Sequence, residues 1–262
     1  MKNQKAMRLG IISALQEEQQ GLVEAMHGPT TLIHGMRDYT LGRLAGIDVV
    51  CVLSRIGKVA AATTVTMLVE KFGVTHIVFT GVAGAADHCV HVGDIVVAES
   101  LVQYDMDASP LFPRFEVPLT GISHFLSDVH LTERLAAVAG NFLELGLTHA
   151  IPAEERDAFR LHRPRLHRGL IASGDRFVAS KTQLETIQAA LPGVLAVEME
   201  GAAVAQVCFE LGVPFTVVRA ISDNANDNAA TDFLRFVKSV AAQYAFHIVR
   251  RLCAELRSEL PE

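Results

Sequence analysis

The stretch VEMEGAA at residues 197–203 combines the features of a core strand, an acidic turn and a helix start. An apolar run at 194–197 leads into it, and small residues then open an amphipathic segment that reaches Leu211. This pattern predicts a buried strand that passes through the turn directly into a helix. Carboxylates are costly to bury without donors, so Glu198 and Glu200 indicate either a functional site or a strand end that reaches solvent, with Glu200 favourably placed in the first helical turn.

Strand and helix patterns alternate on both sides of this stretch. The central strands are apolar on both faces, which is typical of a sheet covered by helices. We therefore expect an α/β fold, a three-layer α/β/α domain with a mixed, mostly parallel central sheet. No linker or repeat interrupts the pattern, so residues 1–262 are interpreted as a single domain, with residues 1–6 as a disordered N-terminus. The predicted strands cover residues 8–13, 39–44, 47–53, 75–80, 94–104, 169–173, 194–197 and 215–221, and predicted helices cover residues 14–26, 58–72, 131–145, 181–191 and 231–256.

The composition narrows the class of protein. Hydrophobic residues make up 50% and charged residues 20% of the 262 positions, which predicts a globular chain. The formal charge of −6 argues against a nucleic-acid partner. No apolar run is long enough to span a membrane, and the N-terminus lacks the pattern of a secretion signal, so a cytoplasmic location is expected. The four cysteines are expected to be reduced core thiols, not disulfides or zinc ligands; they are Cys51, Cys89, Cys208 and Cys253.

Polar or glycine-rich turns follow four other predicted strands, at residues 16–18, 81–84, 173–175 and 222–223. Ligands of open α/β sheets bind at the carboxyl ends of the strands, so these turns are expected to gather along one rim with the two acids of the 197–203 stretch. Acids with few basic partners indicate either a metal site or a site for a cationic transition state. The acids are spread out and no histidine has ligand spacing beside them, so we expect no metal there.

Taken together, these motifs resemble the nucleoside phosphorylase/hydrolase superfamily, and most closely the bacterial 5′-methylthioadenosine/S-adenosylhomocysteine nucleosidases. The resemblance implies a nucleoside phosphorylase-like fold that needs no cofactor. The matching segments occur in family order and cover residues 10–18, 55–61, 80–84, 92–97, 169–175, 197–202 and 218–223.

The resemblance implies hydrolysis of the bond between adenine N9 and ribose C1′ in methylthioadenosine and S-adenosylhomocysteine, and in 5′-deoxyadenosine as a further candidate. Adenine leaves as a neutral base only if an acid protonates it, and the ribose develops positive charge that nearby carboxylates stabilise. A pair of carboxylates on opposite sides of the broken bond is the solution of inverting glycosidases. By the same resemblance, Asp223 is the acid at N7, Glu18 activates the water, and Glu200 binds the ribose hydroxyls.

The resemblance also implies the residues around the substrate. Phe177 would stack on adenine, the Val178 backbone would meet the base edge, Met199 would pack under the ribose, and Ile56 would line the pocket for the 5′-substituent. Without the family, these would be ordinary core residues. Arg219 would order water and ribose-binding groups, and its plain alternative is a structural ion pair. Further substrate-binding candidates on the matching segments are Val82, Ala83, Gly84, Glu198 and Ser222.

Three features depart from the family pattern. Val82 stands where many of these nucleosidases have a serine, so it offers no hydroxyl to the attacking water. The loop at 224–231 is short and shows no aromatic residue to cap the ligand, and Phe233 is expected to be a helix residue instead. The loop at 106–129 supplies residues across a homodimer interface in the family, and Phe112 is the candidate here.

Three other functions remain open. A purine nucleoside phosphorylase needs a phosphate site, but Glu17 and Glu18 would repel phosphate, and Phe79 and Val82 would not bind it. A futalosine-type hydrolase stays open, because an acid at position 223 suits any purine with an N7. A non-catalytic nucleoside-binding protein is disfavoured by the joint presence of the three acids. The partner expected in every case is a small-molecule nucleoside.

Overall fold

The fold is described from a computed structural model over residues 6–19, 21–225 and 229–260. The predicted disordered N-terminus lies outside these ranges except for Ala6, and so does part of the short loop after Asp223. Within these ranges, every helix is too short or too polar to span a bilayer.

The described residues form ten strands and eight α-helices, besides short 3-10 and π-helical turns. The strands are β1 (Arg8–Ser13), β2 (His27–His34), β3 (Arg37–Leu44), β4 (Ile47–Leu53), β5 (His76–Ala85), β6 (Ile95–Gln103), β7 (His124–Leu126), β8 (Leu166–Ser173), β9 (Val194–Glu198) and β10 (Phe215–Asp223). The helices are α1 (Lys58–Glu70), α2 (Val129–Asn141), α3 (Leu147–Ala150), α4 (Ala153–Ala158), α5 (Lys181–Ala190), α6 (Gly201–Leu211), α7 (Ala229–Phe236) and α8 (Ala242–Glu259).

The strands form one mixed sheet in the order β2-β3-β4-β1-β5-β9-β8-β6-β10, with β7 on β6, and β10 pairs back onto β5. Strands β5, β10, β6, β8 and β9 therefore close into a ring, and the other strands extend from β5. Strands β1, β4, β5 and β10 run parallel to one another, as do β6, β8 and β9, and the two sets are antiparallel. The predicted mixed, mostly parallel sheet is confirmed, and its closure is a feature that the sequence did not indicate.

Ring closure brings two sets of carboxyl ends together. Strands β5 and β9 pair antiparallel over only two positions, Gly84 with Val197 and Ala85 with Ala196. Both positions lie at the carboxyl end of their own strand, so the two ends overlap. The acids that follow β9 therefore come to the same place as the turn residues of β5 and β10.

Hydrophobic clusters lie on both faces of the sheet, as the three-layer prediction requires. One cluster includes Leu135 of α2 and Leu252 of α8, and the other includes Leu68 of α1 and Val204 of α6, all fully buried. Burial of such a side chain contributes about 1.5–3 kcal/mol relative to exposure. Cys51, Cys208 and Cys253 are buried, as predicted, whereas Cys89 is exposed.

Three predicted helices differ from the structure. The helix expected over 231–256 begins at Ala229 and contains a π-helical turn, Val237–Ala241, between α7 and α8. The helix expected over 14–26 is replaced by a single 3-10 turn at Glu17–Gln19, since Gly21 has φ +83° and interrupts helical geometry. The helix expected to stop at Gly146 continues through a π-helical turn, Phe142–Gly146, into α3. A Cβ at position 146 would lie 2.9 Å from the Phe142 ring, so this glycine allows close packing and does not end the helix.

Candidate active site

A cavity of about 330 Å³ opens where the two sets of carboxyl ends overlap. It gathers side chains from β5, β9, β10 and the turns that follow β1, β4 and β8. Its walls are mainly apolar, with carboxylates facing in. The lining residues are Ala14, Leu15, Glu18, Ile56, Val82, Ala83, Gly84, Arg176, Phe177, Val178, Val197, Glu198, Met199, Glu200, Ser222, Asp223 and Phe233.

Glu18 enters the cavity from the 3-10 turn after β1. One carboxylate oxygen accepts hydrogen bonds from the amides of Ala14 and Leu15, both at 2.9 Å, and the other accepts from the Val82 amide at 3.1 Å. Burial raises the pKa of Glu18, although these amides and the Arg219 charge oppose that rise. A Cβ at Gly81 would lie 3.0 Å from the carboxylate, so a glycine there leaves room for the acid.

Glu200 immediately precedes α6 and points away from it. Its carboxylate accepts a hydrogen bond of 2.7 Å from the Gly57 amide, at the N-terminal end of α1, and makes no capping bond to its own helix. Burial raises the pKa of Glu200 to about 8, the negative charge of Glu198 adds to the rise, and the Gly57 amide opposes it. Glu200 thus lies at the N-cap and not in the first turn of the helix, and burial outweighs the amide in setting its pKa.

Glu198 forms a buried ion pair with Arg219, at 2.8 Å between Oε2 and Nη2. The same carboxylate accepts from the backbone amides of Glu200 and Gly201 and from the Ser173 hydroxyl. Ser173 in turn accepts from the Ala202 amide at 2.7 Å, so the N-terminus of α6 is held through both side chains. Glu198 lines the cavity, but its oxygens are already used by the protein, and its structural role is to fix the strand–helix turn.

Arg219 lies under the cavity and is not among its lining residues. Its guanidinium carbon lies 3.9 Å from the centre of the Phe79 ring, and Nη1 donates to the carbonyls of Phe79 and Val218. The structural ion pair that the sequence left open as an alternative is present. The positive charge acts on the cavity from beneath, since it lowers the pKa values of both Glu18 and Glu200.

Asp223 ends β10 and is almost fully buried. One oxygen accepts from the Ser222 hydroxyl at 2.8 Å and the other from the Ala225 amide at 2.8 Å. The single hydrogen of the Ser222 hydroxyl can instead be donated to the Ala83 carbonyl oxygen, at 3.3 Å. A Cβ at Gly84 would lie 2.9 Å from the aspartate, so the glycine turn after β5 permits this packing.

Two aromatic rings meet at the mouth of the cavity. Phe177 is 39% exposed, and its ring packs edge to face against Phe233 at 5.7 Å between centroids. Phe233 lies on α7, as predicted, and it also lines the cavity, so this helix supplies the aromatic residue that the 224–231 loop lacks. Sequence reasoning did not assign Phe233 or Arg176 to the cavity. The available signal for Phe233 was an apolar residue near the start of the helix that follows β10.

The structure brings the predicted site residues together, with two exceptions. Arg219 lies beneath the cavity, and Phe112 lies in the 106–129 loop and is not one of the residues lining the cavity of its own chain. The role of Phe112 in a neighbouring subunit stays a prediction. Away from the cavity, Asp87, His88 and Cys89 place their ligand atoms within 4.8 Å of one another at the surface.

The arrangement supplies three carboxylates to one apolar pocket, with an aromatic pair at its mouth. Glu18 and Asp223 approach from different strands, β1 and β10, on either side of β5. A planar, apolar ring fits between aromatic and aliphatic walls, and carboxylates stabilise positive charge that develops beside it. The geometry therefore suits cleavage of a bond between a flat base and a group that becomes cationic.

Comparisons with known proteins agree with this geometry. A family model described as the phosphorylase superfamily matches residues 8–254. A 5′-methylthioadenosine/S-adenosylhomocysteine nucleosidase of Shewanella frigidimarina is 34% identical over 247 residues, covering 94% of this chain and 99% of the relative.

Solved structures give the same picture. An S-adenosylhomocysteine nucleosidase from Streptococcus pyogenes, in complex with 5-methylthiotubericidin, has a TM-score of 0.82 at 32% identity and covers 97% of this chain and 99% of its own. The 5′-methylthioadenosine/S-adenosylhomocysteine nucleosidase of S. pneumoniae, with the transition-state inhibitor MT-ImmA, has a TM-score of 0.81 at 32% identity. The match covers 95% of this chain and 100% of that structure's chain. The resemblance inferred from the sequence motifs is confirmed, and the chain belongs to the phosphorylase superfamily and, within it, to the 5′-methylthioadenosine/S-adenosylhomocysteine nucleosidases.

Proposed function

We propose that this protein hydrolyses the bond between adenine and ribose in 5′-methylthioadenosine and S-adenosylhomocysteine, releasing adenine and a 5-thioribose. The observation that carries the proposal is the convergence of Glu18, Glu200 and Asp223 on one cavity from three separate parts of the chain. Family membership supports the same reaction, since the relatives that match over most of the chain bear that name.

Glu18 is proposed to activate the attacking water. Its burial raises the pKa, which makes the carboxylate a stronger base, and three backbone amides hold it in one orientation. Because Val82 has no hydroxyl, the water is positioned by Glu18 and backbone groups.

Asp223 is proposed to donate the proton that lets adenine leave as a neutral base. The Ser222 hydroxyl and the Ala225 amide fix its carboxyl group at the end of β10. Glu200 is proposed to accept hydrogen bonds from the ribose hydroxyls. As the ribose becomes cationic, its charge favours the ionised form of Glu200, so stabilisation increases toward the transition state.

Phosphorolysis is disfavoured by the charge of the cavity. Its lining contains Glu18, Glu198, Glu200 and Asp223 and a single cation among the described residues, Arg176. A phosphate dianion binds where arginines and hydroxyl or backbone donors converge, and this lining offers few of them. Water is therefore the better nucleophile here.

The test is adenine release from methylthioadenosine in phosphate-free buffer, followed by addition of phosphate. We expect full activity without phosphate and 5-methylthioribose as the second product. Dependence on phosphate, with the 1-phosphate sugar as product, would show a phosphorylase, and binding of the nucleoside without release of any base would show a binding protein.

We also propose that the protein forms a homodimer and acts in the cytoplasm. Leu111 and Leu119, in the 106–129 loop that carries Phe112, are 83% and 90% exposed, which is typical of a surface that a partner covers. A sedimentation measurement that finds a fully active monomer would contradict the dimer, and Phe112→Ala tests the contribution of that loop to the site.

A further inference from the structure

One thiol is accessible outside the cavity, in the connection between β5 and β6. Cys89 is exposed there, whereas burial raises the pKa values of Cys51, Cys208 and Cys253 and keeps these three thiols protonated. The sequence predicted Cys89 to be a core thiol and not a zinc ligand. Its exposure removes the basis of that prediction, because a thiol at the surface can lose its proton and bind a metal.

The two residues before Cys89 bring other types of metal ligand to the thiol. The Cys89 Sγ lies 3.3 Å from Nε2 of His88, and Nδ1 of His88 lies 3.3 Å from a carboxylate oxygen of Asp87. One ligand atom from each residue lies within 4.8 Å of the other two. Ligand atoms bound to tetrahedral zinc at about 2.0–2.3 Å lie roughly 3.3–3.6 Å apart, so the observed spacing is close to that of a coordinated set.

The backbone holds these ligands on a closed turn. The amide of Val90 donates to the Asp87 carbonyl at 3.1 Å, and the amide of Cys89 donates to the Asp87 carboxylate at 2.8 Å. The connection is also tied to the sheet at both ends, since the Ala86 amide donates to a carbonyl of β9 at 2.9 Å and the Gly93 amide to a carbonyl of β10 at 2.8 Å. Little backbone freedom therefore remains to be lost when a ligand binds.

The charge and the donor types of the cluster select the metal. A thiolate and a carboxylate together carry two negative charges, which balance one divalent cation, and the imidazole binds as a neutral ligand. Sulfur and imidazole nitrogen favour zinc and similar transition metals over magnesium and calcium, which prefer oxygen. None of the three residues lines the cavity, so the cluster is separate from the acids proposed to act on the nucleoside.

We propose that Asp87, His88 and Cys89 form a surface site for a zinc-like divalent cation. The Cys89 thiol releases its proton to solvent on binding, one nitrogen of His88 and one oxygen of Asp87 complete the three protein ligands, and water occupies the remaining position. The bound ion stabilises the connection after β5, because it joins three side chains at one point. The site does not depend on the proposed function, since no step of that reaction uses the ion.

The test measures how fast an aromatic disulfide reagent modifies the native protein, since Cys89 is the one exposed thiol among the four cysteines. Zn²⁺ in slight excess over the protein should slow this reaction at least about tenfold, because the metal holds the thiolate that attacks the reagent. A chelator should restore the rate, and Mg²⁺ should not slow it. Co²⁺ in place of Zn²⁺ should produce a sulfur-to-cobalt charge-transfer band.

Variants separate a three-ligand site from a thiol that binds metal alone. His88→Asn and Asp87→Asn retain Cys89, so without metal each should react at close to the wild-type rate. Their zinc affinity should fall at least about tenfold, since loss of even an outer partner of a metal ligand costs about 10–100-fold. His130→Asn, at an exposed position on α2, is the matched control and should keep full protection by zinc.

Circular dichroism verifies that each variant is folded. A wild-type thiol that zinc leaves fully reactive would overturn the site. Full protection by zinc in either His88→Asn or Asp87→Asn would overturn it as well, because the thiol would then bind the metal without that residue as a ligand.

Discussion

Glu198 and Glu200 lie two residues apart, but the protein gives their carboxylates very different numbers of hydrogen-bond donors. Glu198 accepts from Arg219, the Ser173 hydroxyl and two backbone amides, so the protein itself satisfies that carboxylate. Glu200 accepts from the Gly57 amide, and burial raises its pKa to about 8. The comparison teaches that a buried acid saturated by protein donors holds structure, whereas one that is less satisfied retains capacity for a ligand.

The comparison extends to two groups of residues. We call Glu198, Arg219 and Ser173 the anchor, and Glu18, Glu200 and Asp223 the reactive acids. Changes in the reactive acids are expected to reduce turnover and leave the fold intact. Changes in the anchor are expected to reduce stability first.

The largest effect is expected from Asp223→Asn. The amide keeps the shape of the side chain but cannot supply the proton to the leaving base, so kcat should fall about 10⁴-fold. Adenine release measures the rate, and calorimetry with a substrate analogue measures binding, which should be largely retained. Asp157→Asn, at an exposed position on α4, is the control. Near-normal turnover would refute the role of Asp223.

Glu198→Gln should destabilise the protein strongly. It leaves the buried Arg219 guanidinium without its counter-charge, which typically costs about 3–5 kcal/mol of unfolding free energy. The matched control is Glu255→Gln, which breaks a more exposed pair with Arg251 in α8 and should cost less than about 1 kcal/mol. Urea denaturation measures both. If Glu198→Gln keeps the wild-type unfolding free energy, the distinction between anchor and reactive acids fails.

Glu18→Gln should lower kcat about 10²–10³-fold, because the attacking water loses its base. The neutral side chain removes a buried charge, so the unfolding free energy should not decrease as it does in the anchor variant. Rate and urea midpoint are measured on the same preparation. Retention of most of the activity would mean that another group activates the water.

Stability should also depend on pH through Glu200. The pKa of Glu200 is raised from 4.5 to about 8 in the folded state, so the folded protein binds more protons than the unfolded chain between these values. Its contribution to the free energy of unfolding is therefore greatest below pH 4.5 and decreases as the pH rises through 8. Urea midpoints from pH 5 to 8.5 should show a shallower decrease in Glu200→Gln than in the wild type. Identical slopes would contradict the raised pKa.

The sequence predicted the elements of the fold well, because buried strands and their turns are encoded locally. The apolar run of β9 and the acids at its end appear where expected. So do the two strands on either side of Ala45-Gly46, a tight turn in which both residues have positive φ. Strand β2 was missed, since its exposed residues show no alternation with a buried face. Ring closure was also missed, because the pairing of β10 and β9 with β5 depends on contacts distant in sequence.

For the site, the family motifs identified residues that the structure places in one cavity, but they could not give their environments. The ionisation of Glu200 depends on burial and on Glu198, neither of which follows from its position before a helix. Phe233 was placed on a helix, but its contact with Phe177 depends on how α7 packs against the turn after β8.

The seam between β5 and β9 has a consequence for motion. Only two residue pairs join the ring there, so its opening breaks fewer hydrogen bonds than opening at the longer pairing between β6 and β8. The seam also borders the cavity, through Gly84 and Val197. A nucleoside lying across the seam would contact both strands. Substrate binding is therefore expected to slow hydrogen exchange of the backbone amides in this shortest pairing of the ring.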